Sequence, residues 1–282
     1  MLSYQHGYHA GGLADLIKHL TITRILNYML LKDKPMVYIE THAGRGIYDL
    51  EDPQALTTGE AELGIKRLWE HRAKLPEVFS LYFKTLSLCN HQDKLRYYPG
   101  SPSLAIHALR PIDRLFFSER HPGEYQHLKT LAHQNLRVTC HQGDGLAQLN
   151  ALLPPIERRG LILIDPSYEI KTEYREIPTA LKKAYLRFTT GVYCIWYPLV
   201  DDKWHRQLLV GLQACGAKNN LRLELYQKAQ TGKNTKGCGL WIINPPFVLF
   251  EELKLICESL RPLFHSSYLL ESYDHHSTPG IC

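Results

Sequence analysis

Four consecutive apolar residues, Leu161 to Ile164, stand between Gly160 and the pair Asp165-Pro166. A run this short, bounded by glycine and proline, predicts a fully buried strand. Proline has no N–H for a sheet ladder, so the strand ends and the chain turns at Asp165-Pro166. In an open α/β sheet, ligands bind outside the carboxyl ends of the strands. The stretch therefore delivers a carboxylate, backbone carbonyls and the ring of Tyr168 to the edge where chemistry is done. These groups suit an exocyclic amine on a nucleobase. Asp165 and the Pro166 carbonyl can accept its two N–H bonds, and Tyr168 can stack on the ring. The competing reading is an ordinary strand end with a turn and a core tyrosine.

The other strands support an α/β chain. Pro35 restarts the chain into MVYIE, a strand ending at Glu40 and running into THAGRG. Gly44 and Gly46 allow positive φ and close backbone approach, as in a nucleotide-binding first turn. The third glycine of the dinucleotide spacing is absent, which disfavours a dinucleotide. RLFFSE predicts a second strand ending at Glu119, where an acid commonly binds ribose hydroxyls. LRVTCHQGDG predicts a third, ending at Asp144-Gly145, followed by a helix and then the 161–164 strand. GVYCIWYPLV, LRLELYQ and GCGLWIINPPF predict three more, with helices at about 172–188 and 202–214.

Two stretches break the alternation. Leu13, Leu16, Ile17, Leu20, Ile25, Leu26 and Met29 recur at helical spacing and predict a helix over about residues 12–31. Asp15, Lys18 and His19 fall largely off that stripe, as on a solvated face. Residues 51–96 carry two amphipathic patterns, near 59–73 and 76–89, and predict a small helical subdomain inserted into the sheet domain. Residues 1–50 and 97–270 make up the sheet domain, and 271–282 a tail. In YYPGSP, Ser101 is a candidate N-cap with Pro102 at N1, and a helix start there offers N–H groups to an anion. KAQTGKNTKG is a basic loop, with Lys228, Lys233 and Lys236 available to phosphate.

Composition narrows the partners. The 282 residues are 44% hydrophobic and 22% charged with a net charge of +5, which permits a nucleic-acid partner without demanding one. Seven cysteines without a C-x-x-C pair argue for reduced thiols in a cytoplasm. Fifteen histidines form no metal-ligand motif, so no metal is expected. No stretch reads as a signal peptide or approaches the ~20 apolar residues of a membrane span.

INPPF, Ile243 to Phe247, competes with DPSYE for the catalytic role. It fits the generic Asn/Asp-Pro-Pro-aromatic motif of amino-methyltransferases better. Its place after the nucleoside-binding strands, and the stronger acceptor in Asp165, assign catalysis to DPSYE and a structural role to INPPF.

The sequence as a whole closely resembles the bacterial 23S ribosomal RNA adenine-N6-methyltransferase J family. The resemblance is carried by MLSY, HAG-x-x-AD-x-x-KH (His9 to His19), THAG-x-G, LRYYPGSP, E-x-HP (Glu119 to Pro122), RRGLILIDP and WIINPP. It implies a class I S-adenosylmethionine-dependent methyltransferase: a Rossmann-like, doubly wound α/β sheet with an inserted helical subdomain. It further implies that His19, His42, Ser101, Glu119, Asp144, Gly145 and Asp165 surround S-adenosylmethionine, and that Asp165, with Pro166 and Tyr168, is catalytic. Tyr4 and Lys18 are implied to face the RNA. A cytoplasmic and monomeric protein is expected. The chain departs from the family in having DPSY for DPPY, in Gly12-Leu13, and in its tail. A DNA adenine-N6-methyltransferase, a non-catalytic nucleic-acid-binding protein of DNA uptake and a protein glutamine methyltransferase are the alternatives.

Overall fold

The computed structural model describes residues 5–90, 94–227 and 236–274. Tyr4, Lys228, Lys233 and the 275–282 stretch, with the expectations placed on them, lie outside the described residues.

Helix α1 (Leu13–Met29) leads into strand β1 (Val37–Glu40). The short strands β2 (Ile47–Asp49) and β3 (Tyr97–Pro99) pair antiparallel and bracket three helices, α2 (Pro53–Thr58), α3 (Arg67–Glu70) and α4 (Ser80–Leu88). Five units of alternating helix and strand follow: α5 (Ser101–Ala108), β4 (Arg114–Glu119), α6 (Pro122–Leu131), β5 (Val138–Gln142), α7 (Gly145–Leu152), β6 (Gly160–Ile164), α8 (Glu173–Arg187), β7 (Val192–Leu199), α9 (Asp202–Gln213) and β8 (Asn219–Gln227). The described chain ends with β9 (Lys236–Ile243), α10 (Leu249–Phe264) and β10 (Ser266–Asp274).

The large sheet has the order β10-β8-β9-β7-β6-β1-β4-β5. Strands β5, β4, β1, β6 and β7 are parallel, whereas β9 runs antiparallel to both its neighbours and β10 antiparallel to β8. From β1 the chain winds outward to β5 in one direction and through β6 and β7 in the other. The crevice between β1 and β6 is thus the topological switch point where a doubly wound sheet binds ligands.

Side chains alternate across the sheet with a period of two. Leu161 and Leu163 of β6 enter the apolar layer shared with α1, α4, α5 and α10, and Ile162 and Ile164 enter the layer shared with α7, α8 and α9. Asp165 continues the first series and emerges on the α1 side. The same alternation sends Tyr38 and Glu40 of β1 towards α5. Helix α1 is covered on nearly all sides, so Asp15, Lys18 and His19 are buried at 2%, 4% and 1% exposure. The solvated face expected for them is absent because α5, α4, the 62–66 turn, α10 and β9 all pack on this helix.

Residues 50–96 share the main core. Ile65, Leu68, Phe79, Tyr82 and Leu86 belong to the same apolar cluster as Leu16, Ile17 and Leu20. One turn of π-helix, Glu62–Lys66, docks on the N-terminal segment, with the Ile65 N–H donating to the Gly11 carbonyl at 2.8 Å. Gly64 is required there, since a Cβ would lie 2.1 Å from the Gly11 oxygen. At the other end of the cavity edge, Ser101 is the first residue of α5 rather than its N-cap. Gly100 takes the cap position, and the Ser101 hydroxyl is turned to Glu40 instead.

On the α9 side of β8, Glu224 is fully buried and accepts hydrogen bonds from Tyr197 at 2.9 Å, Arg222 at 2.9 Å and Tyr226 at 2.5 Å, with His205 Nε2 at 2.7 Å. Burial alone would raise its carboxyl. The bonds from His205 and Tyr226 and the charge of Arg222 override that and hold it at about 2. A depressed folded-state pKa stabilises above the ordinary carboxylate value of 4.5 and is lost as pH falls towards about 2. Glu224→Gln should therefore destabilise the fold by about 3 kcal/mol at pH 7 and by progressively less below pH 4.5, read by urea unfolding across that range.

Candidate active site

A cavity of about 580 Å³ opens at the carboxyl edge of β4, β1, β6 and β7, roofed by the N-terminal segment and α1. His19, His42, Ser101, Glu119, Asp144, Gly145, Asp165 and Pro166 all line it, and so does Lys18. These residues come from seven elements and connections, brought to one place because parallel strands end on one edge.

Glu119 ends β4. Its Oε2 accepts the Gly44 N–H at 2.7 Å and its Oε1 the His121 N–H at 2.6 Å, which fixes the glycine turn against the strand end. Burial raises its carboxyl above the usual range. Gly44 sits at φ +65, a conformation that L side chains rarely adopt. Asp144 caps α7, with Oδ1 accepting from the N–H groups of Leu146 and Ala147 at 2.9 and 3.1 Å. Gly145 follows at a point where a Cβ would lie 2.1 Å from the Thr41 carbonyl oxygen, so α7 starts directly against the end of β1.

The two histidines are neutral. Burial lowers His19 to about 3, and its Nδ1 lies 2.8 Å from the Tyr98 hydroxyl. Burial likewise lowers His42 to about 4, with Nδ1 2.7 Å from the Thr41 hydroxyl. Glu40 is fully buried behind them, between the Ser101 hydroxyl at 2.5 Å and the Tyr38 hydroxyl at 3.1 Å, and burial raises it to about 8.

Asp165 does not stand alone. Its Oδ2 accepts from Lys18 Nζ at 2.7 Å, and Asp15 Oδ1 lies 2.8 Å from the same ammonium. Burial by itself would lower Lys18, but the two carboxylates hold it well above the usual lysine range. Lys18 is thus an internal cation matched to Asp165 in the wall of the cavity.

Tyr168 is where the sequence reading and the geometry part. The residue takes φ +55, its ring is buried 4.7 Å from that of Tyr174, and its hydroxyl donates to the Trp196 carbonyl at 3.0 Å. The ring packs in the α8 layer and does not line the cavity, so it offers no face to a base. Trp196 of β7 does line the cavity, together with Pro198, Val200 and Leu225. Trp196 was legible only as a core residue of an apolar strand. Asp15 and Glu40 escaped notice for the opposite reason, each reading as an ordinary helix or strand carboxylate. A hint for Asp15 lay in its spacing of three from Lys18, which places both on one side of a helix.

INPPF is far from this edge. Because β9 is antiparallel, Ile243 pairs with Tyr193 at the start of β7, on the opposite rim of the sheet. There Asn244 donates to the carbonyls of Thr189 and Gly191 at 2.8 Å each. Among the described residues no group of three or more His, Cys, Asp and Glu is arranged to hold a metal, and no helix is long and apolar enough to cross a membrane.

His19 and His42 should remain neutral from pH 8 down to pH 5, read as flat ring ¹⁵N shifts, with charging only towards about 3 and about 4. Their lowered pKa values mean that the unfolded chain takes up these protons first, so both histidines should erode stability as pH falls below 6.5.

The comparisons with known proteins agree with this geometry. The family model described as "Ribosomal RNA large subunit methyltransferase D, RlmJ" matches residues 33–267. A relative from Escherichia coli (strain K12), named ribosomal RNA large subunit methyltransferase J, is 38% identical over 282 residues, covering 100% of this chain and 99% of its own. A relative of the same name from Haemophilus influenzae is 40% identical over 258 residues, covering 91% and 92%. The crystal structure of a protein from Legionella pneumophila str. Philadelphia 1 superposes with a TM-score of 0.89 at 48% identity, covering 95% of this chain and 99% of that one. With a match along most of its length and a cavity assembled from the residues that carry the resemblance, the chain belongs to the ribosomal RNA large subunit methyltransferase J family.

Proposed function

We propose that this chain transfers a methyl group from S-adenosylmethionine to the exocyclic N6 amine of an adenine in 23S, the large-subunit ribosomal RNA. The observation that supports it is a single cavity in which Asp165-Pro166 shares the wall with Glu119, Asp144 and the Gly44 turn.

The donor set suits the cofactor. Glu119 has spent one site on each oxygen and, as a carboxylate with about four lone-pair positions, can still accept from a ribose diol. Asp144 uses only Oδ1 on its helix, which leaves Oδ2 for a purine or ribose donor. The amino end of α5 lines the cavity at Ser101, whose N–H faces a carboxylate, while the Gly100 N–H is spent on the Gly46 carbonyl at 2.8 Å. Neutral His19 and His42 put no positive charge beside a sulfonium. When bound, the cofactor supplies a methyl carbon already activated by the positive sulfur.

The remaining chemistry falls to Asp165 and its surroundings. The adenine amine is a poor nucleophile because its lone pair is delocalised into the ring. Hydrogen bonds to Asp165 Oδ1 and the Pro166 carbonyl favour a pyramidal nitrogen and aim its lone pair. Lys18 holds Oδ2 and so fixes which oxygen is presented. With the cofactor in place, the nitrogen would bond to the methyl carbon as the carbon–sulfur bond breaks, the electron pair leaving with sulfur. Asp165 accepts the amine proton, directly or through water. Alignment supplies most of the rate enhancement. The base must leave its stack to enter the cavity, whose lining includes the aromatic rings of Trp196 and Tyr48.

Labelled methyl transfer to unmodified large-subunit RNA, followed by nucleoside analysis, tests this reading. Label in N6-methyladenine from RNA and not from matched DNA is the expected result; label in another nucleoside or in protein overturns it. Asp165→Asn should slow the single-turnover rate by at least about 100-fold while leaving cofactor affinity nearly unchanged; a rate near that of the parent removes Asp165 from the mechanism. Glu119→Gln should weaken cofactor binding by about 1–3 kcal/mol in calorimetry, because Gln offers one acceptor oxygen where two N–H groups and a diol compete.

A further inference from the structure

Asp15 lies in the wall of the same cavity but makes no hydrogen bond to Asp165; it is buried at 2% exposure and fully engaged. Its Oδ1 lies 2.8 Å from Lys18 Nζ. Its Oδ2 accepts the Gly11 N–H at 3.0 Å and faces His6 Nε2 at 2.8 Å. Gly11 in turn accepts the Ile65 N–H at 2.8 Å from the π turn of the 50–96 segment. An unbroken line of polar contacts thus runs from that segment through Gly11, Asp15 and Lys18 to Asp165 Oδ2, its last link 2.7 Å long.

We propose that Asp15 is a positioning residue for methyl transfer: by gripping the Lys18 ammonium it sets how that cation is shared with Asp165, and so which way and how strongly Asp165 accepts from the substrate amine. The inference rests on the function proposed above. Lysine is a point charge on a flexible stem, and one carboxylate leaves it free to swing. Two carboxylates, one from its own helix and one from the end of β6, define its place. They also divide its charge. Without Asp15, the whole ammonium falls on Asp165, and an acceptor so neutralised bonds more weakly to an amine and takes its proton less readily. His6 and Lys18, acting through charge, hold the Asp15 carboxyl well below the usual range against the opposing effect of burial, so it stays ionised to do this.

A purely structural ion pair would stabilise α1 and leave the transfer step alone. Single-turnover transfer at saturating cofactor and RNA distinguishes the two, measured on the parent, Asp15→Asn, Lys18→Met and the double variant. Asparagine keeps the size of the side chain and can keep the Gly11 bond. Asp15→Asn should slow transfer about 10–100-fold with cofactor and RNA dissociation constants within about threefold. In the Lys18→Met background the same substitution should change the rate by less than about twofold, because its route to Asp165 is gone. Equal losses in both backgrounds, or a parent-like rate with only a lower Tm, overturn the proposal. Should Asp15→Asn fail to fold, Asp15→Glu keeps the charge and moves it by one methylene. It should slow transfer in the parent background but not in Lys18→Met, and a parent-like rate in both overturns the proposal. A parent protein that transfers no methyl to RNA overturns the function itself, an outcome distinct from an additive cycle in an active enzyme.

Discussion

An ammonium group cannot be taken out of water unless negative charge comes with it. Lys18 is buried on a helix that is itself enclosed, and the two carboxylates that compensate it come from its own helix and from the end of β6. That requirement ties the first helix of the chain to its fourth parallel strand. It also means that the roof of the cavity and its chemical floor are held together by charge, in a region where apolar packing alone would not choose a rotamer.

The sheet explains why the partners meet. Residues 161, 163 and 165 share a face because the strand period is two, and the α1 layer is the one they face. A one-residue slip of β6 would exchange Asp165 for Ile164 or Pro166 and leave Lys18 unmatched. Pairing of β6 with β1 on one side and β7 on the other fixes that register. Specificity of the fold and placement of the acceptor are thus the same fact seen at two scales.

Much of this was legible in the chain. Short apolar runs leading to acids, Glu119, Asp144 and Asp165, pointed to a parallel sheet with one functional edge, because parallel strands bring their carboxyl ends to the same side. What period and composition do not carry is direction and enclosure. INPPF was set aside on chain order, whereas the physical reason is that β9 runs antiparallel and leaves the motif on the far rim. Tyr168 reads in one dimension either as a stacking ring or as a core tyrosine, and the choice is made by the turn, where at φ +55 its ring packs in the core. Asp15 looked like a surface residue because a helix covered on nearly all sides has no polar face to reveal one.

The two-stranded sheet of β2 and β3 has a consequence for the chain as a polymer. Leu50 and Arg96 are hydrogen-bonded at 2.8 Å, and Arg96 grips Asp49 through both its Nε and a terminal nitrogen, so the segment between them leaves and returns through one narrow neck. Closing such a loop depends only logarithmically on its length, about 0.6 kcal/mol for each doubling. Beyond the π turn and the apolar contacts with α1, the excursion can lengthen or shorten without pulling β1 away from β4. The neck uncouples the size of the excursion from the register of the strands, and evolution or an engineer can resize it while the catalytic edge stays where it is.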